Sequence, residues 1–148
     1  MSASTSSDAG DHGAQAYDVA VLGGGPGGLA VAVHLARRGR SVVVVERGSY
    51  DRPRAGETFG GELAPLLQRL GVYSRLAALD PVPFRGVQSA WGGDSLHERP
   101  SLQHPFGEGW HVDRARFDAM LAAHAQGEGV SVRVGAGNTV VARDASRW

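Results

Sequence analysis

The sequence predicts an α/β fold built around a parallel sheet, and three observations indicate it. From Tyr17 to Arg47 an apolar strand, a glycine turn, a helix and a β-branched strand follow one another. A second helical pattern covers Asp113–Gln126, with apolar side chains at spacings of three and four. The alternating valines of Val130–Val134 follow it as a further strand. A right-handed crossover places this third strand beside the second, in the order 3-2-1 of a Rossmann-like half-domain.

The first of these units contains a phosphate-binding signature. Gly23, Gly25 and Gly28 occupy the glycine positions of G-x-G-x-x-G, and Pro26 and Gly27 lie between them. The first glycine permits a tight turn, the second lets a pyrophosphate approach the backbone, and the third lets the helix pack close to the strand. The unpaired N–H groups and the dipole of the helix favour an anion there.

An acidic residue completes this unit. Glu46 closes the second strand, where a carboxylate accepts hydrogen bonds from the ribose hydroxyls of an adenosine, and Arg47 follows it. With 22 glycines in 148 residues, the glycine pattern alone is a weak signal. Strand, turn, helix and acid agree, however, and together they predict dinucleotide binding. The alternative is a glycine-rich turn with a structural role only.

The segment between these units is predicted as an insertion of helices and a strand. Residues 48–61 are a loop by composition, and Leu63–Leu70 has four leucines on one helical face, ended by Gly71. A short helix is predicted over Tyr73–Leu79. A strand is predicted over Phe84–Trp91, and a hairpin is one interpretation of the turn-rich residues 92–109. The apolar run at Val19–Leu22 is typical of a fully buried strand.

The two ends of the chain receive separate predictions. Residues 1–16 are small and polar, and we expect a disordered leader rather than a signal peptide. Residues 17–148 are predicted as one N-terminal FAD- or NAD(P)-binding domain. Another strand begins at Thr139–Ala142 and the sequence then stops, so we expect the domain to be truncated at its C-terminus.

Composition excludes several classes of function. There are 15 basic residues, all arginine, and 15 acidic residues, so the formal net charge is zero and no nucleic-acid partner is expected. No run approaches the roughly 20 apolar residues of a membrane span. The absence of cysteine fits a reducing compartment, and we expect a cytoplasmic protein. His97, His104 and His111 lack acidic or cysteine partners at ligand spacing, so no metal site is predicted.

Three motifs carry a resemblance to a known family: VLGGGPGGLAVAVHLARRGRSVVVVER, RPRAGETFGGELAPLLQRLGV and GWHVDRARFDAMLAAHAQGEGVSVRV. In this order the chain resembles FAD-dependent oxidoreductases related to p-hydroxybenzoate hydroxylase, geranylgeranyl reductase and the flavin-dependent halogenases. The resemblance implies FAD as cofactor and NAD(P)H as a candidate electron donor. It implies that Glu46 binds the adenosine ribose, that Arg54 contacts the diphosphate and that Arg114 lies near the cofactor. The planar fork of arginine suits phosphate oxygens.

Each of these residues also has a plainer interpretation. Arg54 is alternatively a solvated loop arginine, and Arg114 an ordinary helix residue paired with Asp118 four positions on. Glu57 is either a polar group on the flavin side or a loop residue without a role. Trp91 and Trp110 either line a substrate pocket or belong to the core, and the core is the commoner place for large aromatic side chains.

The sequence also departs from the family pattern. The family's later G-D motif, which holds the ribityl chain, is expected beyond the end of this sequence, and the halogenase signature W-x-W-x-I-P does not occur in it. No lysine exists to serve as the halogenase catalytic lysine, and Arg85 stands roughly where that residue is expected. Halogenation is therefore not predicted.

The functional prediction is an FAD-dependent oxidoreductase of monooxygenase type with a small-molecule or peptide substrate. A reductase of the geranylgeranyl type, an NAD-only Rossmann protein and a truncated fragment without activity are the alternatives. No residue is predicted as a catalytic acid or base, because nothing in the sequence singles one out.

Overall fold

A computed structural model describes residues 15–93 and 95–136 of the chain, except for the side chain of Leu102. The predicted leader falls outside this part but for its last two residues, which are exposed and form no regular element. The strand predicted over Thr139–Ala142 also lies outside the described residues.

The described residues form eight strands and four α-helices. In order they are β1 Val19–Leu22, α1 Pro26–Ala36, β2 Val42–Val45, β3 Glu57–Phe59, α2 Leu63–Leu70, α3 Tyr73–Leu76, β4 Val82–Phe84, β5 Gly86–Ser89, β6 His97–Pro100, β7 Gly109–Val112, α4 Arg114–Gly127 and β8 Ser131–Arg133. Short 3₁₀ turns cover Ala77–Leu79 and Ser101–Gln103.

A parallel sheet of three strands supports the helices. Its order is β1-β2-β8, with Val19 opposite Val42 and Val44 opposite Val132. Helices α1 and α4 pack against each other and against this sheet. The core that joins these elements is formed by apolar side chains that include Leu29, Val33, Val42, Val44, Phe117, Leu121 and Ala125. The predicted α/β class with a parallel sheet is confirmed.

The burial predicted for β1 is wrong. Along β1 half-buried and exposed residues alternate, and Leu22 is 58% exposed, whereas three of the four β2 valines are buried. The reason is position in the sheet. Among the described strands, β2 is paired on both sides and β1 on one side only. An apolar run shows that a strand is suited to burial, but its neighbours decide whether it is covered.

A second, antiparallel sheet lies between β2 and α4 in the chain, in the order β3-β7-β4. Its presence corrects two predictions. Residues 48–61 are not entirely loop, because Glu57–Phe59 pairs with β7. The strand predicted over Phe84–Trp91 is divided, since β4 ends at Phe84 and β5 begins at Gly86. Three-residue strands leave no periodic pattern in a sequence, so only their distant partners reveal them.

The turn-rich segment does contain one half of a hairpin. Strand β6 pairs antiparallel with β5, with Val87 opposite Arg99. The two tryptophans have different places. Trp91 is 87% exposed beyond β5 and does not belong to the core, whereas Trp110 is half-buried against the core.

The helix predictions need smaller corrections. Helix α2 has the predicted bounds and ends at Gly71 in the left-handed conformation, but Leu66 on its predicted apolar face is 56% exposed. Helix α4 begins at Arg114, and the carboxylate of Asp113 accepts a hydrogen bond of 3.1 Å from the Arg116 N–H, which confirms the predicted cap.

Candidate functional site: the glycine turn and its arginine cluster

The glycine turn joins β1 to α1, and its glycines have separate structural reasons. Gly23 has a φ of +102°, a left-handed conformation that glycine adopts without strain, and its N–H donates to the Val45 carbonyl at 2.8 Å. A Cβ on Gly28 would lie 2.1 Å from the Gly23 carbonyl oxygen, so Gly28 permits the helix to sit on the turn. A Cβ on Gly25 would find nothing nearer than an Arg114 nitrogen at 3.9 Å.

The start of α1 is open. Gly25 is the residue that caps the helix, no side chain caps it, and Pro26 follows at the first helical position. The first N–H groups of a helix have no partner within the helix. Gly25 therefore leaves space in front of backbone donors, which is the arrangement that an anion requires.

Glu46 ties the end of β2 to this turn. Its Oε2 accepts from the Gly24 N–H at 2.7 Å, and its Oε1 accepts from the Gly48 N–H at 2.8 Å and from Arg54 Nη2 at 3.1 Å. A carboxylate has about four lone-pair positions, so one remains for a ligand hydroxyl. Burial alone would raise the pKa of Glu46, but the bonds from Gly48, Gly24 and Arg54 outweigh it and hold that pKa below its usual value.

Tyr50 supports the turn from the loop after β2. Its hydroxyl donates to the Gly24 carbonyl at 2.8 Å, and the Arg54 guanidinium lies 5.6 Å from the centre of its ring. Burial, with the charges of Glu46 and Asp118, raises the pKa of Tyr50 to about 12, so the phenol remains a donor. Sequence reasoning missed Tyr50, because a single tyrosine in a polar loop gives no signal.

Arg54 and Arg114 meet at one carboxylate. Arg54 Nη1 lies 3.1 Å from Asp118 Oδ2, while Arg114 Nε and Nη2 lie 3.2 Å from Asp118 Oδ1 and Oδ2. Arg114 Nη1 also bonds to Glu57 Oε2. The hydrogen bonds that Arg114 donates to Asp118 raise the pKa of Arg114 against the opposing effect of burial, and the charge of Glu57 adds to this rise. The Arg114 guanidinium therefore keeps its charge beside the turn.

This geometry bears on the plainer interpretations of the two arginines. Arg54 is not a solvated loop arginine, since its side chain is 29% exposed and binds two carboxylates. Arg114 does pair with Asp118 at i, i+4, but Asp118 is fully buried, so the pair is not surface decoration. Sequence reasoning did not identify Asp118 as part of the site. The feature that could have identified it is an aspartate on the apolar face of α4, beside Phe117.

The other predicted positions surround the same turn. Pro26 and Gly27 form the first turn of α1, with Gly27 exposed, and Arg47 is exposed directly after Glu46. The site therefore brings together the backbone of Gly23, Gly25, Pro26, Gly27 and Gly28 and the side chains of Glu46, Arg54 and Arg114.

In residues 15–93 and 95–136, no group of three or more histidine, aspartate or glutamate side chains is placed to hold a metal ion. No helix in that part combines the length and the apolar character needed to cross a bilayer.

Comparison with known proteins gives several curated relatives. A tryptophan 2-halogenase of Chondromyces crocatus is 34% identical over 115 residues, which are 77% of this chain and 22% of that protein. A probable NADH-specific resorcinol 4-hydroxylase of Rhodococcus jostii is 47% identical over 115 residues, or 74% of this chain and 21% of that protein. The chain thus spans about a fifth of the length of these two relatives.

Solved structures and a domain family match the same part. The myxobacterial chondrochloren halogenase CndH, an FAD-dependent halogenase, superposes with a TM-score of 0.72 at 31% identity, over 80% of this chain and 28% of its own. A flavoprotein/dehydrogenase from Cytophaga hutchinsonii superposes with a TM-score of 0.72 at 25% identity. The match covers 86% of this chain and 32% of that protein. Residues 16–147 match the FAD binding domain. This chain belongs to the FAD binding domain family, and its cofactor is FAD.

Proposed function

We propose that this chain holds the ADP half of FAD at the Gly23–Gly28 turn, as the cofactor-binding part of an FAD-dependent oxidoreductase of monooxygenase type. The observation that carries the proposal is the open N-terminus of α1. There no side chain of the described residues fills the Gly25 position, and an Arg114 nitrogen lies 3.9 Å from where its Cβ would be. In this proposal the sheet β1-β2-β8 is the first half of a doubly wound fold, with the 57–112 region as an insertion.

The residues present suit the groups of the cofactor. The first N–H groups of α1, with Arg54 and Arg114, suit a diphosphate, because charged donors bind phosphate oxygens more strongly than neutral ones do. The remaining lone-pair position of Glu46 suits a ribose hydroxyl, and Arg47 lies beside it. When bound, FAD supplies the redox chemistry, and the protein contributes binding and orientation.

The reaction and its substrate are further parts of the proposal. The relatives include both halogenases and a hydroxylase. The sequence contains no lysine, and this favours hydroxylation over halogenation. We propose a small-molecule or peptide substrate and NAD(P)H as electron donor, with a reductase of the geranylgeranyl type as the variant within the class.

Binding of FAD and ADP to the 148-residue chain tests the proposal. Flavin absorbance and fluorescence titration should show FAD binding, and ADP should compete. Arg54→Ala and Arg114→Ala should each weaken FAD binding, since a charge-assisted hydrogen bond contributes about 1.5–3 kcal/mol. Arg75→Ala, which removes an exposed arginine of α3, is the matched control. Tight binding of NAD without any flavin, or unchanged FAD affinity in both arginine variants, would contradict the proposal.

A further inference from the structure

We propose that Asp118 is a positioning residue for the diphosphate site: its buried carboxylate holds the Arg54 and Arg114 guanidinium groups together beside the glycine turn. The inference rests on the proposed function, because it concerns how the same site is assembled. Asp118 would not touch the ligand. It would act through the two arginines.

The burial of Asp118 is the first step. Its side chain has no exposed surface, and both of its oxygens are occupied by guanidinium nitrogens at 3.1–3.2 Å. It lies on the core side of α4, next to Phe117, which is 1% exposed. Burying an ion pair costs desolvation energy, and well-packed apolar residues of similar volume often give equal or greater stability. Stability alone is therefore a weak explanation for a carboxylate here.

The second step is what Asp118 connects. Arg54 comes from the loop after β2, and Arg114 from the first turn of α4. Arg54 uses one terminal nitrogen for Glu46 and the other for Asp118. Among the described residues, Asp118 is the only one that bonds to both guanidinium groups. Without it, the two cations would repel each other with no shared partner between them.

The third step is the charge of the cluster. Glu46, Arg54, Asp118, Arg114 and Glu57 are joined in that order by salt bridges, so the cluster has three carboxylates and two guanidinium groups. It therefore bears one more negative than positive charge. Coulomb attraction alone predicts that removal of any of these carboxylates strengthens the binding of a diphosphate. A positioning role for Asp118 predicts the opposite sign.

Glu57 is the matched comparison within the same cluster. It also bonds to Arg114, but its side chain is 39% exposed, whereas Asp118 is fully buried. A ligand can displace a half-exposed carboxylate from Arg114 but cannot reach the buried one. We therefore expect Glu57 to compete with phosphate for Arg114, and Asp118 to orient that arginine.

The test measures ADP and adenosine affinity of the 148-residue chain and of Asp118→Asn and Glu57→Gln, by competition with FAD. Asp118→Asn should weaken ADP binding at least about tenfold, or 1.4 kcal/mol, and leave adenosine, which lacks phosphate, unchanged. Glu57→Gln should bind ADP as tightly as the parent or more tightly. Thermal unfolding of both variants checks that each is folded.

Several outcomes would overturn the inference. One is an ADP affinity of folded Asp118→Asn that equals or exceeds that of the parent. Another is a loss of adenosine affinity in Asp118→Asn as large as its loss of ADP affinity. A third is an equal loss of ADP affinity in Glu57→Gln. A parent chain that binds neither FAD nor ADP would instead overturn the proposed function. If Asp118→Asn does not fold, Asp118→Glu replaces it, because glutamate keeps the charge but moves the carboxylate one carbon further from the helix backbone. Weaker ADP binding by folded Asp118→Glu supports positioning, and unchanged binding overturns it.

Discussion

Arginine side chains lie near both ends of helix α1, but their donors have different partners at the two ends. At the N-terminal end, Gly25 has no capping side chain and the backbone faces open space. At the C-terminal end, Arg37 donates to the carbonyls of Arg69 at 3.1 Å and Leu70 at 2.9 Å, and its Nε lies 3.1 Å from Glu128 Oε2. Arg37 thereby fastens the ends of α1, α2 and α4 together.

The difference lies in which donors remain available. The Arg37 fork is occupied by two carbonyls and a carboxylate, and His124 Nε2 lies 2.8 Å from the Leu70 carbonyl on the same side. The arginines at the other end bond to carboxylates that include the half-exposed Glu57. A saturated cluster can contribute only to stability, whereas one with a displaceable partner can also bind a ligand. The two ends should therefore respond differently to substitution.

The largest expected effect is at Gly28. A valine there would place its Cβ 2.1 Å from the Gly23 carbonyl oxygen, and backbone cannot move away as a flexible side chain can. We expect Gly28→Val to lose at least about 3 kcal/mol of unfolding free energy, as severe overpacking does. Chemical denaturation measures this loss. A variant as stable as the parent would show that α1 does not pack on the turn as described.

Gly25→Val, three positions earlier, is the matched substitution. Its Cβ has open space, and the φ of −79° at Gly25 suits any residue, so unfolding free energy should change by less than about 1 kcal/mol. FAD binding should fall by several kcal/mol, since the side chain occupies the proposed pyrophosphate position. Flavin occupancy equal to that of the parent would move the phosphate site away from this turn.

Arg37→Ala tests the C-terminal end of α1, where the arginine donors are occupied by two carbonyls and a carboxylate. Loss of its charged hydrogen bonds should reduce the unfolding free energy by about 1–3 kcal/mol and leave FAD affinity unchanged. Denaturation and flavin titration on the same preparation separate the two effects, with Arg75→Ala as the control for loss of an exposed arginine. A change in flavin affinity without a change in stability would reverse the roles that we assign to the two ends.

The smallest effect is a dependence of stability on pH at the same end. The hydrogen bond from Arg37, against slight desolvation, holds the pKa of Glu128 below its usual 4.5. A depressed folded-state pKa contributes stability that is present above pH 4.5 and is lost as pH falls through the folded-state value. Glu128→Gln should therefore flatten the acid side of the stability profile. An unchanged acid slope would show that the exposed pair contributes nothing.

Glu46, near the N-terminal end of α1, should also contribute stability that is lost at acid pH. Its pKa is lowered, because bonds from Gly48, Gly24 and Arg54 outweigh the effect of its burial. A Glu46→Gln variant provides the comparison. Its acid slope should also be shallower, and the same substitution should weaken ADP binding if the carboxylate accepts from the ribose. The Glu128 variant should leave ADP binding unchanged, which keeps the two ends distinct.

Local sequence determined the strand, turn and helix around Gly23–Gly28, because each of these elements depends on residues within a few positions of one another. Four further features also depend on nearby residues only. They are the left-handed φ of Gly23, the close packing of Gly28 on the turn, the end of α2 at Gly71 and the helix cap at Asp113. Hydrophobic periodicity and turn chemistry act over short distances, so a sequence displays them directly.

Only the tertiary structure decided what surrounds that turn. Arg54 meets Asp118 across 64 positions of the chain, and Arg114 meets Glu57 across 57. The three-residue strand β3 exists through pairing with the distant β7. Strand β1, which among the described strands is paired on one side only, leaves Leu22 exposed. Burial and charge pairing depend on which distant elements become neighbours. For that reason the type and position of Asp118 could be read from the sequence, but its place between two arginines could not.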